Sequence, residues 1–273
     1  MSDEALSRRE FLITSGTLLC ATAVPAWADV FQAGSVDDAL RVEIAETALG
    51  RAAALGASYA DIRVNRYRRE SIATRERQVQ NVSRSTSRGF GLRVLVNGAW
   101  GFAAGPDVQP AAVRRITDQA IEIAKANAAY QRKSIALVPT PRVSATWRGA
   151  FDQDPFEIAA DRKIEFLLAM NEAAAKAKGA SFVKSSLSFQ NEQKFFASTE
   201  GTRTDQYIIR THPTLTVTAV NRKTGDFQSR RSLPGPKCIG YEYLERYPWL
   251  KEAEQTGVEA VAKLDAKPVV PDV

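Results

Sequence analysis

Histidine and cysteine are nearly absent from this 273-residue chain, which has one histidine, His212, and two cysteines, Cys20 and Cys238. A catalytic zinc site takes three protein ligands, usually drawn from His, Glu and Cys. A histidine-built metal centre is therefore excluded within the chain. Long apolar runs are also missing: Ile13 to Val24 is short and rich in Thr, Ser and Gly, whereas a bilayer span needs about 20 apolar residues. No Gly-x-Ser-x-Gly elbow marks a nucleophile. Gly89-Phe90-Gly91 opens a strand without the helix and further glycine of a dinucleotide fingerprint. The basic residues are dispersed, with no zinc-finger spacing or RNA-binding signature, which argues against nucleic acid as a partner.

The amino terminus carries an address. Ser7-Arg8-Arg9-Glu10-Phe11-Leu12 is a twin-arginine motif, followed by the moderately apolar stretch and by Ala26-Trp27-Ala28, a small-x-small cleavage site. Arg8, Arg9, Ala26 and Ala28 are thus the expected signal-processing residues, with cleavage after Ala28. The protein is expected outside the cytoplasm, in the periplasm, with no membrane attachment after cleavage. A lipoprotein based on Cys20 is disfavoured, because Leu19 stands where a small residue is required. Removing residues 1–28 leaves 35 Lys and Arg against 28 Asp and Glu, a formal charge of +7. That balance suits a soluble protein with a mild preference for acidic partners. Only Cys238 then remains, so no intramolecular disulfide forms. It follows Pro234-Gly235-Pro236-Lys237 in an expected loop, where it reads as an inert or partly buried thiol.

Ser35, with Asp38 three residues on, predicts a helix start, and Leu40, Ile44, Ala48 and Leu55 give one apolar stripe ended by Gly56. Ala60, Ile62 and Val64 alternate with Asp61, Arg63 and Asn65, the pattern of a half-buried strand. Arg66 to Arg69 reads as the solvated end of that strand, and Ser71 to Val82 as a separate polar strand. Asn97-Gly98 between Phe90–Val96 and Ala99–Ala103 is a hairpin signal. A helix opened by Asp107 and Pro110 presents Val113, Ile116, Ala120 and Ile123. Ile135 to Arg148 is a connector with strand character, kept from a central position by Pro139 and Pro141. Asp154-Pro155 predicts another helix, with Ile164, Leu167, Leu168 and Ala175 inward. Strands are then expected at Phe182–Phe189, Gln193–Ser198, Arg203–Thr211, Thr214–Val220 and Asp226–Ser232, with His212-Pro213 in a turn. A last helix covers Trp249 to Leu264. Leu55-Gly56-Ala57-Ser58-Tyr59 and Lys178-Gly179-Ala180-Ser181-Phe182 lie 123 residues apart and each joins a helix to a strand, as in a helix-strand-strand unit used twice. The fold class is α+β, with mainly antiparallel sheet flanked by long helices.

Gly56-Ala57-Ser58-Tyr59-Ala60-Asp61-Ile62-Arg63-Val64, Val79-Gln80-Asn81-Val82 and the run from Arg88 to Ala103 together resemble the amino-terminal half of TldD/PmbA-type proteins. Ala197-Ser198-Thr199-Glu200-Gly201 and Gly240-Tyr241-Glu242 extend the resemblance, which covers roughly Val36 to Leu264. It implies a zinc peptidase family acting on extended or unfolded peptides, working as paired chains around a chamber. The metal of that family lies in a carboxy-terminal domain, on a His-Glu-x-x-x-His helix, and that motif occurs nowhere here.

Residues 29–265 are accordingly expected to form the TldD/PmbA-like amino-terminal domain, with 266–273 as a tail leading toward an absent metallopeptidase domain. No catalytic, cofactor-binding or metal-binding residue is assigned to this chain, and zinc is expected only in the missing domain. By resemblance the chain supports assembly, as a homodimer or heterodimer with a relative, and lines the way in for a peptide substrate. Ser71–Val82 and Gln193–Ser198 are the candidate sheet edges for holding an extended peptide by backbone hydrogen bonds. Two other readings stand beside this one: a non-catalytic periplasmic binding or partner subunit, and an independent enzyme using His212 or Cys238.

Overall fold

The computed structural model describes residues 34–267, with side chains from residue 39 onward. Arg8, Arg9, Ala26, Ala28 and Cys20 lie outside the described residues. The chain divides into two compact units, Met1–Glu43 and Ile44–Val273. Of the first, only the opening turns of helix α1 (Gly34–Ala54) are described. All features below belong to the second.

That unit is one seven-stranded sheet in the order β3-β2-β1-β5-β6-β4, with β7 also on β6. The strands are β1 (Tyr59–Arg75), β2 (Gln78–Val96), β3 (Ala99–Gly105), β4 (Ser144–Arg148), β5 (Ala180–Ser198), β6 (Arg203–Val220) and β7 (Phe227–Arg231). Every pairing is antiparallel except β4 with β6. The α+β class read from the sequence is the observed one. The doubled unit is also visible: α1-β1-β2 and α3-β5-β6 meet where β1 pairs antiparallel with β5.

Helices α2 (Pro110–Ala128), α3 (Ala160–Ala175) and α5 (Trp249–Ala262) cover one face, and a short α4 (Glu242–Arg246) precedes α5. α2 lies over β2 and β3 through Val113, Ile116, Ala120, Ile121 and Ala124. Ile121 and Ala124, rather than Ile123, complete its buried stripe. Its approach is so close that a Cβ on Gly101 would sit 2.0 Å from the Ala120 carbonyl oxygen. Only glycine fits there. Arg51 of α1 ties to Asp118 of α2 at 2.7 Å. α3 and α5 share a core with the sheet that includes Leu167, Met170, Leu187, Phe189, Leu215, Val217 and Trp249.

Several expected elements take a different form. Asp154-Pro155 begins a single 3₁₀ turn, Pro155–Glu157, with the Asp154 carboxylate accepting from the Phe156 amide at 2.9 Å, and α3 starts separately at Ala160. Ala175 is exposed, whereas Lys163 and Asn171 occupy the buried stripe. The break expected between Ser71 and the preceding strand does not exist: β1 runs on to Arg75, and the chain reverses at Glu76 and Arg77, with Glu76 at φ 49°. Arg66 to Arg69 therefore lie within the strand rather than at its end. The short strands after Gly179 fuse in pairs into β5 and β6, and His212-Pro213 lies inside β6. Pro213 is tolerated because Thr211, two residues earlier, directs its amide outward to Lys237. By alternation the imide nitrogen of Pro213 also points away from β5, where no ladder bond is lost.

The buried Glu70 and Lys163 charges on the helix-covered face are paired. Lys163 Nζ donates to Glu70 at 2.9 and 3.0 Å, with both side chains fully buried. Arg84 reaches the same carboxylate at 3.1 Å, and the ammonium lies 5.0 Å from the centre of the Phe189 ring. Burial lowers the Lys163 pKa and the Glu70 contacts partly offset it. Removing Lys163 leaves the buried Glu70 carboxylate with only the exposed Arg84 to compensate it. Lys163→Met should therefore lower urea-unfolding stability by about 3 kcal/mol, and Glu70→Leu added to it should restore much of the loss. Equal stability of Lys163→Met and wild type would show that the pair does not anchor α3.

Candidate functional site

Among the described residues, no helix covers the second face of the sheet. Strand alternation places Asp61, Arg63, Asn65, Tyr67 and Arg69 of β1 on it. Register adds Arg93, Gly91, Gly89 and Ser87 of β2, and Phe196, Lys194, Glu192 and Gln190 of β5. From β6 come Gln206, Ile208, Arg210 and His212, the last opposite Ser188.

Two polar clusters organise this open face. In the first, the buried Asp61 carboxylate accepts from Arg63 Nη1 at 2.6 Å through one oxygen. Its other oxygen accepts from Arg93 Nη2 at 2.6 Å and Nε at 2.9 Å. Each guanidinium also lies against an aromatic ring, Arg63 at 5.1 Å from the centre of Phe196 and Arg93 at 4.9 Å from Trp100. Tyr59 stands edge-on to Trp100, and burial, reinforced by the Asp61 charge, pushes its phenol up to about 12. In the second cluster Glu192 accepts from Arg210 at 2.8 Å, Lys194 at 3.1 Å and the Tyr67 hydroxyl at 3.2 Å. Burial opposes the Glu192 charge, but the bonds from Arg210 and Lys194 outweigh it and hold the carboxyl below its ordinary range. Arg69 stacks on Tyr67 at 4.6 Å. Arg63, Arg93, Lys194 and Arg210 thus share the two carboxylates Asp61 and Glu192, and Arg69 adds a further positive charge, leaving the face electropositive.

The same bonds decide what this face can coordinate. Both Asp61 oxygens and both Glu192 oxygens already accept from cationic side chains. Among the described residues no group of three His, Cys, Asp or Glu side chains is placed to hold a metal ion. The donor set does not fit the zinc that the family resemblance implies. His212 lies in β6 and Cys238 is exposed beside Arg210, which removes the partly buried form of the inert or partly buried thiol expected. Glu200 accepts from the Thr140 hydroxyl at 3.0 Å. Glu242 is buried, and accepts from the amides of Gly240 at 2.8 Å and Gln153 at 3.1 Å, a latch joining two loops.

Of the two expected sheet edges, Gln193–Ser198 is interior, flanked by β1 and β6. Ser71–Arg75, the first part of the other, is likewise paired on both sides, whereas its remainder, Gln78–Val82, does lie on an edge. The edge is on β2 and extends beyond the expected segment. β3 pairs only with Phe90–Val96, so among the described residues nothing pairs with the outer side of Gln78–Gly89. Where β3 leaves β2, the open face holds a pocket of about 600 Å³ lined in part by Arg63, Asn65, Tyr67, Gly89, Gly91 and Phe102. Sequence inspection missed it. The available signal was Gly89-x-Gly91, two residues without side chains on one strand face.

Comparison with known proteins places this architecture among peptidase-like folds. The PmbA/TldA metallopeptidase domain 1 matches residues 60–124, and the PmbA/TldA metallopeptidase central domain matches 153–264. Matched in order over more than half of its length, the chain belongs to the PmbA/TldA metallopeptidase family. A metalloprotease of Methanocaldococcus jannaschii is 24% identical over 213 residues, covering 77% of this chain and 45% of that protein. A metalloprotease of Methanothermobacter thermautotrophicus is 28% identical over 211 residues, covering 77% and 44%. Among solved structures, a proposed modulator of DNA gyrase from Bacteroides thetaiotaomicron shares the fold with TM-score 0.66 at 15% identity, over 84% of this chain and 51% of that one. TldE of Thermococcus kodakarensis shares it with TM-score 0.55 at 16% identity, over 78% and 47%. The chain thus spans about half the length of the relatives it matches.

The Tyr59 shift gives a direct check on the Asp61 cluster. The folded state holds this proton while an unfolded tyrosine, ionising near 10, has released it, so stability falls as pH rises between 10 and about 12. Ultraviolet titration of wild type minus Tyr59→Phe should show one phenol ionising near the upper value. A midpoint near 10 would contradict the cluster geometry.

Proposed function

We propose that this chain is the amino-terminal scaffold and substrate-admitting part of an exported TldD-like zinc peptidase, silent by itself. It holds extended or unfolded peptides and delivers them to a metal centre carried on other polypeptide. The carrying observation is the outward side of β2 at Gln78–Gly89, bordering an open electropositive face. An unpaired strand offers backbone donors and acceptors to any extended chain, giving affinity with little sequence preference. The cationic excess around Asp61 and Glu192 supports attraction of acidic or carboxylate-bearing segments.

The proposal extends to place and partners. Twin-arginine export through Arg8 and Arg9, with processing after Ala28, puts the protein in the periplasm and free of the membrane. It assembles there as a homodimer or with a PmbA/TldD relative, and any zinc is held in a carboxy-terminal metallopeptidase domain of the family's kind. The alternative of a non-catalytic partner subunit is supported by a second observation: Asp61 and Glu192 are occupied by cationic side chains, and no set of metal donors occurs among the described residues.

The test is metal analysis and peptidase assay of the purified chain, alone and mixed with a full-length family member. The expected result is no bound zinc and no cleavage of an unfolded peptide by the chain alone, with cleavage by the relative changed several-fold on mixing. Stoichiometric zinc with cleavage by the chain alone would overturn the proposal, as would a relative whose rate is indifferent to it.

A further inference from the structure

We propose that the pocket beside Arg63 is a subsite for the terminal carboxylate of a peptide whose last side chain is apolar. The inference rests on the peptide-holding role above and names the part of the peptide that is read. At about 600 Å³ the cavity falls within the range of small-ligand sites. Its shape comes from missing side chains. Gly89 and Gly91 leave the strand surface bare, and the Phe102 ring crosses it so closely that a Cβ on Gly91 would meet the ring at 3.1 Å. Phe102 is 57% exposed, an uncovered aromatic wall beside a flat floor. Ala104 and Pro106 continue the apolar lining.

The electrostatics select the other half of the ligand. Asp61 is one negative charge shared by two guanidinium groups, so the Arg63–Asp61–Arg93 cluster carries one net positive charge. Arg63 spends only Nη1 on Asp61, leaving its remaining donors without a hydrogen-bond partner among the described residues. Its side chain is 42% exposed at the pocket. Stacking on Phe196 and the bond to Asp61 fix the orientation of the guanidinium, which lowers the cost of ordering it on binding. No Asp or Glu lines the cavity to compete for it. A guanidinium fork pairs with a carboxylate through two parallel hydrogen bonds. An inorganic anion would satisfy the arginine and leave the glycine and phenylalanine surfaces empty. A carboxylate carrying an apolar side chain fills both. The pocket also opens beside Gly105, where β3 leaves β2, so a peptide anchored there has the outward side of Gln78–Gly89 within reach of its backbone.

The experiment is fluorescence anisotropy of the chain with a short labelled peptide ending in leucine, as the free acid and as the terminal amide. The acid should bind about tenfold more tightly, the effect of one charge-assisted pair. Arg63→Gln should bind acid and amide alike. Phe102→Ala, which leaves the Asp61 cluster intact, should weaken the acid several-fold, and N-acetyl-leucine should displace it at far lower concentration than acetate. Equal binding of acid and amide by wild type would overturn the subsite while leaving the peptide-holding role standing. An amide peptide carrying an internal aspartate that binds as tightly as the acid would overturn it too, as would equal displacement by acetate. Binding of neither peptide would overturn both readings.

Discussion

The structure depends on the register of β1. This strand is paired along nearly its whole length on both sides, with β2 from Tyr59 to Arg75 and with β5 from Asp61 to Arg75. Its alternation sends Ile62, Val64 and Ile72 under the helices and Asp61, Arg63, Asn65 and Tyr67 to the open face. A slip of one residue would exchange the two sets, burying Asp61, Arg63, Asn65 and Tyr67 and exposing the core. Ion pairs near both ends oppose such a slip. Asp61 engages Arg93 on β2, and Glu70 engages Lys163 on α3 and Arg84 on β2.

Those pins divide the labour between the faces. On the covered face, polar groups serve packing: Glu70 holds α3, and Asn171 bridges Thr74 and the Glu76 carbonyl at 2.9 Å each. On the open face, carboxylates are the scarce partner and guanidinium groups the abundant one. Asp61 and Glu192 orient their arginines without neutralising them all. A surface so arranged is suited to accept carboxylates and extended backbone, and poorly suited to ligate a metal.

Much of this was legible in the residues. The alternation from Ala60 to Asn65 assigned both faces of β1 correctly, and Asn97-Gly98 marked a real hairpin because both residues adopt positive φ, 50° and 73°. Gly56 ended its helix at φ 87°, whereas α3 already stops at Ala175 and Gly179, at φ 112°, turns the chain into β5. The long strands were harder to read. Glu192 and Asn191 interrupt β5 as though they were loop residues, and Pro213 interrupts β6, yet each is accommodated by a partner or an unpaired edge supplied from elsewhere in the fold. Glu70 and Lys163 stand 93 residues apart, and no local pattern announces that two such charges will bury each other. The edge of β2 was read only in part, at Gln78–Val82, because its extent to Gly89 is set by where β3 is too short to cover it.

The central claim is that the outward side of β2 receives extended peptide, and hydrogen-exchange mass spectrometry of the chain with and without an unfolded peptide addresses it most directly. The account predicts slowed exchange in Gln78–Gly89 and its border at Gly105, with α2, α3 and α5 unaffected. Unchanged exchange in β2, with protection confined to the helix-covered face, would contradict it.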